Sequence, residues 1–301
     1  MSTFISRNLT SLVILLSIAL GFLLPDIGLI WKSYLAFLLA LLMFFAALSI
    51  EPKDITESFR SIHLVALALF MVFVFTPALA LPAKLLFSSP IVFAGITLAF
   101  CAPSAIATAF WTKVFKGDVA FALVISVLAN LLSIITMPLT MLIATGQNVT
   151  VDFRWMILNL AEVILVPITA AFTLKRAKRF NWKRVTGFGS KIELVILIML
   201  IWASIAQGAS LIRSNLWEFA WLNTYMIATL AIAFATAYLL GKRSGHKRAV
   251  TMGIAACVKN AALALVIGVT LYGSEILPPL IANLIGQNLL IVPLQLLVKE
   301  K

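Results

Sequence analysis

Apolar runs of about 20 residues follow one another along the chain almost without interruption, and charged residues, Gly, Pro and Asn collect between them. At 1.5 Å of rise per residue, about 20 apolar residues cross a hydrocarbon core of about 30 Å. The pattern predicts ten such helices, at residues 11–30, 34–50, 63–83, 90–112, 118–144, 153–174, 188–208, 218–241, 248–271 and 276–298. No soluble domain fits between them. The first run follows only Arg7, lacks a small-residue cleavage site and leads into Pro25 and Asp26, which predicts a retained helix rather than a removed signal peptide.

Composition agrees with the pattern. Of 301 residues, 62% are hydrophobic and 11% charged, more apolar surface than a water-soluble core of this size hides. Lipid is the expected solvent. The net charge of +12 would suit nucleic acid, but the positive residues sit in the short loops, so no nucleic-acid partner is expected. With a cytoplasmic N-terminus, the inside segments hold Arg7, Lys53, Arg60, Lys113, Lys116, the cluster Lys175 to Lys191, Lys242, Arg243, Lys247, Arg248, Lys299 and Lys301. The outside loops hold Lys32, Lys84, Arg154 and Arg213. This asymmetry predicts an even number of spans with both ends in the cytoplasm, and the expected compartment is the bacterial inner (plasma) membrane. Cys101 and Cys257 both fall inside spans and do not form a loop-based disulfide framework.

Ten spans divide into five and five, and an odd number per half inverts the second half in the membrane. Residues 1–174 carry the first repeat, spans 1–5, plus span 6, and residues 188–301 carry spans 7–10. Faint internal similarity supports the duplication. Gly95-Ile96 leads to Cys101-Ala102-Pro103-Ser104-Ala105 in span 4, and Gly253-Ile254 leads to Cys257-Val258-Lys259-Asn260-Ala261 in span 9. Spans 5 and 10 echo each other through Ala129-Asn130-Leu131 and Met137-Pro138-Leu139 against Ala282-Asn283-Leu284 and Val292-Pro293-Leu294.

Pro103 removes an amide donor near the middle of span 4 and clashes with the preceding turn, which predicts a broken helix. Backbone broken within lipid must face protein or a cavity. Ser104 and Asn260 are then placed to cap two second half-helices, with amides at Ala105 to Ala107 and Ala261 to Leu263 forming an anion-favouring site. Lys259 lies close to the centre of span 9, where an isolated charge costs at least about 2.5 kcal/mol. Three roles stay open for it: a fixed charge for an anionic substrate, a proton carrier, or a structural cation. Glu162 in span 6 is the intramembrane carboxylate available to answer it, with Glu193 near the start of span 7. Asp118 reads as a cap for span 5. Ser126, Asn130, Ser133, Asn283, Gln287 and Asn288 gather on spans 5 and 10, with Ser126 and Asn130, and Asn283 and Gln287, four apart on one helix face.

These features together resemble the bile acid:sodium symporter family. The residues that carry the likeness are Leu42-Met43-Phe44-Phe45, Cys101-Ala102-Pro103-Ser104, Lys116-Gly117-Asp118-Val119-Ala120 and Asn260, set in the ten-span inverted repeat. The resemblance implies an all-α membrane protein with crossed, discontinuous helices 4 and 9. It implies a panel domain of spans 1, 2, 6 and 7 and a core domain of spans 3–5 and 8–10, with substrate held between them. Family members carry bile acids, pantoate, pyruvate and other organic anions. Asn260 and Asn288 match the family's substrate-contacting asparagines, and Ser104, Thr108 and Lys259 complete the expected substrate set.

The sequence departs from the sodium-coupled members. Their span 9 motif reads Glu, any residue, Gly, Met, Gln, Asn, where this chain has Ala255, Ala256, Cys257, Val258, Lys259, Asn260. The family's Ser-Asn sodium pair falls at Thr108-Ala109, and its span 5 Ser and Thr fall at Ala122 and Ser126. Thr108 and Ser126 then mark a vestigial sodium site, and the expected function is a secondary carrier of small organic anions that is independent of sodium or linked to protons. Cys101, Cys257, Asn130, Asn283, Gln287 and Glu162 are secondary candidates. Two alternatives stay open: a metalloid efflux carrier like the related arsenite exporters, using Cys101 and Cys257, and a non-transporting membrane sensor on the same fold. An enzyme is not expected, because neither His63 nor His246 has catalytic spacing and no HExxH, GxSxG or paired carboxylates occur. No cofactor or metal is expected.

Overall fold

The computed structural model describes residues 2–48, 61–105, 107–146, 152–176 and 182–297. Nearly all of them are helical, and the described residues form no strand beyond one isolated pairing of Ser104 with Lys259. The main helices are α1 (Ser2–Leu23), α2 (Pro25–Leu29), α3 (Leu35–Leu48), α4 (Ile62–Phe70), α5 (Pro90–Cys101), α6 (Thr108–Val114), α7 (Val119–Thr145), α8 (Phe153–Arg176), α9 (Trp182–Ser214), α10 (Leu216–Gly241), α11 (His246–Cys257), α12 (Ala261–Tyr272) and α13 (Leu277–Leu297).

Six stretches among the described residues are long and apolar enough to cross a bilayer: Pro25–Phe45, Ile62–Leu86, Val119–Thr145, Phe153–Arg176, Ile192–Ser214 and Leu216–Ser244. Leu23, Leu85, Ile143, Val166 and Trp217 are exposed, whereas Thr97, Ser104, Ser133, Lys259 and Asn283 are completely buried. Apolar residues outside and polar residues inside is the arrangement that lipid selects, and the chain is an integral membrane protein.

Local chemistry explains where the helices start and stop. Asp118 Oδ1 accepts from the Phe121 amide at 3.1 Å and caps α7, as its position after Lys116-Gly117 suggests. Pro25 opens α2 after Leu24 leaves helical geometry, so the first expected span divides in two. The basic stretch before residue 191, expected as a loop, is helical from Trp182 onward and extends α9. Lys and Arg are good helix formers, and their charge alone does not make a loop.

α4 contains a feature the hydrophobic pattern hides. It runs into a π-helical turn at Met71–Phe75 and then a short helix at Thr76–Ala78. The Thr76 amide bonds the Met71 carbonyl, five residues back, and the Thr76 hydroxyl reaches the same oxygen at 2.8 Å. The Val72 carbonyl therefore loses Thr76 as its usual i+4 donor, and its i+5 neighbour is Pro77, which has no amide hydrogen.

α1, α2, α3, α8 and α9 pack together, while α10 packs on α11 and α13, and α7 on α5 and α6. α7 against α8, and α9 against α13, join the two groups. Close approach is set by glycine at Gly95, where an added Cβ would clash with Pro279 Cγ, seating α5 on α13.

Candidate functional site

Two helix breaks meet inside the protein. Pro103 forces Ala102 into extended geometry (φ −55°, ψ 143°), and α5 stops at Cys101. Val258 is extended as well, between α11 and α12. The two extended segments run antiparallel: the Ala105 amide donates to the Val258 carbonyl at 2.9 Å, and the Asn260 amide to the Pro103 carbonyl at 2.8 Å. Each break thus satisfies backbone groups of the other, which is how irregular backbone survives away from water.

Asn260 caps α12 as expected, its Oδ1 accepting from the Leu263 amide at 3.1 Å. Ser104 does not cap the second half of the other broken helix. α6 begins only at Thr108, after Ala107, which provides no side-chain cap, and the Ser104 and Thr108 hydroxyls hydrogen-bond each other at 2.9 Å. The Ala105 amide is taken by Val258, so this break offers no free amide there for an anion. Asn130 ties the breaks together. Its Nδ2 donates to the Ser104 and Ser126 carbonyls, at 3.2 and 2.7 Å, and its Oδ1 accepts from Asn260 Nδ2 at 3.1 Å. Ser126 donates to the Ala105 carbonyl at 3.0 Å, and Ser133 donates to the Asn130 carbonyl.

Lys259 is completely buried. Its backbone amide donates to Gln287 Oε1 at 2.9 Å, and its ammonium donates to the Val72 carbonyl at 2.9 Å. That carbonyl is the acceptor that the π turn and Pro77 leave without a helical donor. Val72 and Thr76 are the site residues that the hydrophobic pattern alone did not bring out; the available signal was Pro77, one residue beyond a Thr.

Beside the breaks lies a cavity of about 340 Å³. Ile14, Leu42, Met43, Glu193, Leu197 and Ile201 line one wall, from α1, α3 and α9. The other is formed by Ala105, Ala107, Phe110 and Trp111, by Val258 to Ala262, and by Leu284, Gln287, Asn288 and Ile291 of α13. Asn260, Asn288, Gln287 and Lys259 all line it, whereas Ser104, Thr108, Ser126, Asn130 and Asn283 lie outside its lining. Asn283 is buried, and neither its amide nitrogen nor its oxygen is hydrogen-bonded to any described residue. Cys101 and Cys257 are buried, lie outside the lining and direct their thiols to carbonyls of their own helices, at Leu98 and Ile254. Glu162 is on an exposed face of α8, and no ion pair joins it to Lys259.

An all-helical membrane protein with paired helix breaks beside a mostly apolar cavity has the makings of a carrier, and comparison with known proteins decides the matter. The chain matches the SBF-like CPA transporter family over residues 9–299. It belongs to that family. It is 24% identical over 282 residues to the uncharacterized protein YbaS of Bacillus subtilis (strain 168), covering 91% of each chain. It is 26% identical over 234 residues to sodium/bile acid cotransporter 7-A of Xenopus laevis, covering 74% of this chain and 68% of the other. It is also 24% identical over 234 residues to the probable chloroplastic sodium/metabolite cotransporter BASS2 of Oryza sativa subsp. japonica, covering 75% of this chain and 54% of that one. The resemblance drawn from the sequence to the bile acid:sodium symporters holds, and the protein is a membrane transporter.

Proposed function

We propose that this family member is a secondary active carrier of small organic anions that operates without sodium, built from ten spans in two inverted five-helix repeats. Two of its relatives are named as sodium-coupled carriers, of bile acids and of metabolites. The sodium independence rests on one observation: the buried ammonium of Lys259 donates to the orphaned Val72 carbonyl. A hard cation needs several oxygen ligands at once. At the positions that match the family's sodium ligands, Ala255 and Ala122 are buried and have no side-chain oxygen, while the hydroxyls of Thr108 and Ser126 are already hydrogen-bonded internally. In this reading the Lys259 side-chain nitrogen occupies the place of the cation that the sodium-coupled relatives bind. It acts as the structural cation of the three roles open to it.

α5 with α6, and α11 with α12, are the discontinuous spans 4 and 9 in this reading. The cavity lies between a panel of α1, α2, α3, α8 and α9 and a core of the remaining helices. With both termini in the cytoplasm of a bacterial inner membrane, its lining from Glu193 to Ile201, at Phe110 and Trp111, and from Leu284 to Ile291 falls on the cytoplasmic side of the breaks. The conformation is then inward-facing, and alternating access moves the core against the panel.

Thermal unfolding of the detergent-purified protein against a panel of small carboxylates, in sodium chloride and in choline chloride, tests the proposal. A carboxylate at 100 times its dissociation constant stabilises the native state by about 2.7 kcal/mol. The stabilisation is equal in the two salts and is lost in Asn288→Ala. Stabilisation by a carboxylate only in sodium chloride contradicts the proposal.

A further inference from the structure

The cavity contains a charged side chain that neither the helix breaks nor the Lys259 contact uses. Glu193 projects from α9 and is the only carboxylate among the described lining residues. It is half-buried, follows the same helix face as Leu197 and Ile201, and makes no hydrogen bond or ion pair with any described residue. The nearest cation in the lining, Lys259, sends its ammonium to Val72, which is not part of the cavity wall.

The opposite wall offers two incompletely used amides. Gln287 is 7% exposed, and its Oε1 accepts the Lys259 amide, which leaves its Nε2 group without a described partner. Asn288 is 6% exposed, and its Nδ2 donates to the Leu284 carbonyl, which leaves its Oδ1 free to accept. Between these walls the lining is apolar, with Ile14, Met43, Leu197, Ile201 and Ile291. A plain carboxylate entering this cavity meets the like charge of Glu193 across an apolar lining, so the wall disfavours it. A substrate that brings its own cation removes that conflict.

We propose that Glu193 makes the cavity a site for zwitterions: molecules with an apolar body that carry a protonated amine toward Glu193 and a carboxylate toward Gln287 Nε2. The Asn288 oxygen provides a second acceptor for the ammonium. This sets the substrate class of the carrier proposed above as carboxylates that also bear an ammonium group, and it rests on that reading. Glu193 is a specificity-determining residue here.

The test compares ligands that differ only by the ammonium group: leucine against 4-methylpentanoate, and phenylalanine against 3-phenylpropanoate. Dissociation constants come from calorimetric titration of the purified full chain, as wild type, Glu193→Gln and Glu193→Asp, at two pH values. The expected result is that at least one amino acid binds wild type about tenfold tighter than its desamino partner. Glu193→Gln abolishes the preference and Glu193→Asp keeps it. Equal or tighter binding of the desamino acids by wild type overturns the zwitterion assignment and leaves the organic-anion carrier standing. So does desamino binding that strengthens at acid pH only while Glu193 is present, since Glu193 then holds a proton instead. A preference that survives Glu193→Gln overturns it too. If no member of either pair binds, the zwitterion assignment falls, and the carrier reading is decided by the carboxylate panel.

Discussion

At the scale of single residues, the centre of the molecule is held by side chains that answer backbone groups left over from broken helices. Asn130 is the clearest case, since it serves the Ser104 and Ser126 carbonyls and the Asn260 amide group at once. Asn130→Ala leaves buried polar groups unpaired on both breaks, and chemical or thermal unfolding should show a loss of about 1–3 kcal/mol. Asn283 is the counterexample: it is equally buried, but its amide has no partner among the described residues. Asn283→Leu removes polar atoms that gain nothing from the fold, so its melting temperature is expected to equal or exceed that of wild type. A large drop would mean that the amide has a partner the present contacts do not include. These two asparagines sit at corresponding places in the apparent sequence repeat, and the sequence gives no means of telling them apart. Lys259 stood out because a charge amid apolar residues is costly anywhere in a span. Its acceptor did not, because Pro77 marks a carbonyl without a donor but does not say which side chain reaches it.

At the scale of elements, most of the helices were legible because lipid imposes a length on apolar runs, and α7, α8, α10 and α13 match the expected spans to within a few residues. Pro103 announced the break after α5 for a reason that needs no tertiary contact. What remained hidden depends on contacts from elsewhere in the chain. Ser104 was expected to cap, but it pairs instead with the Thr108 hydroxyl and sits in the antiparallel segment opposite Lys259. The π turn of α4 follows from Thr76-Pro77, yet its consequence appears only when Lys259 arrives from α11 and α12. Glu193 looked like a residue at a helix start until α9 was seen to line the cavity. The seating of α5 on α13 is also open to test. In Gly95→Ala the new methyl group meets the Pro279 ring, which cannot swing away, and overpacking is expected to cost about 1–3 kcal/mol in unfolding measurements. An unchanged midpoint would show that α5 and α13 slide apart at little cost.

At the scale of the whole molecule, the helices form two groups with an apolar cavity between them, and the polar residues concentrate where the two breaks touch. The proposed inward-facing state makes a labelling prediction. The native cysteines Cys101 and Cys257 are each 1% exposed and should resist a membrane-impermeant maleimide. A cysteine at Leu197 should react in inside-out vesicles and not in right-side-out vesicles. Reaction from the outer side alone would reverse the orientation drawn from the positive residues.

The account turns on whether Lys259 stands where sodium would otherwise bind, and unfolding temperature measured in sodium chloride and in choline chloride at equal ionic strength tests this most directly. Two proteins suffice: the wild type and the double variant Ala255→Glu, Lys259→Gln, which returns the acid and the amide of the sodium-coupled motif. The wild type should melt at the same temperature in both salts, and the double variant should melt higher in sodium, since an ion that binds only the native state raises its stability. A wild-type protein that sodium stabilises would contradict the account.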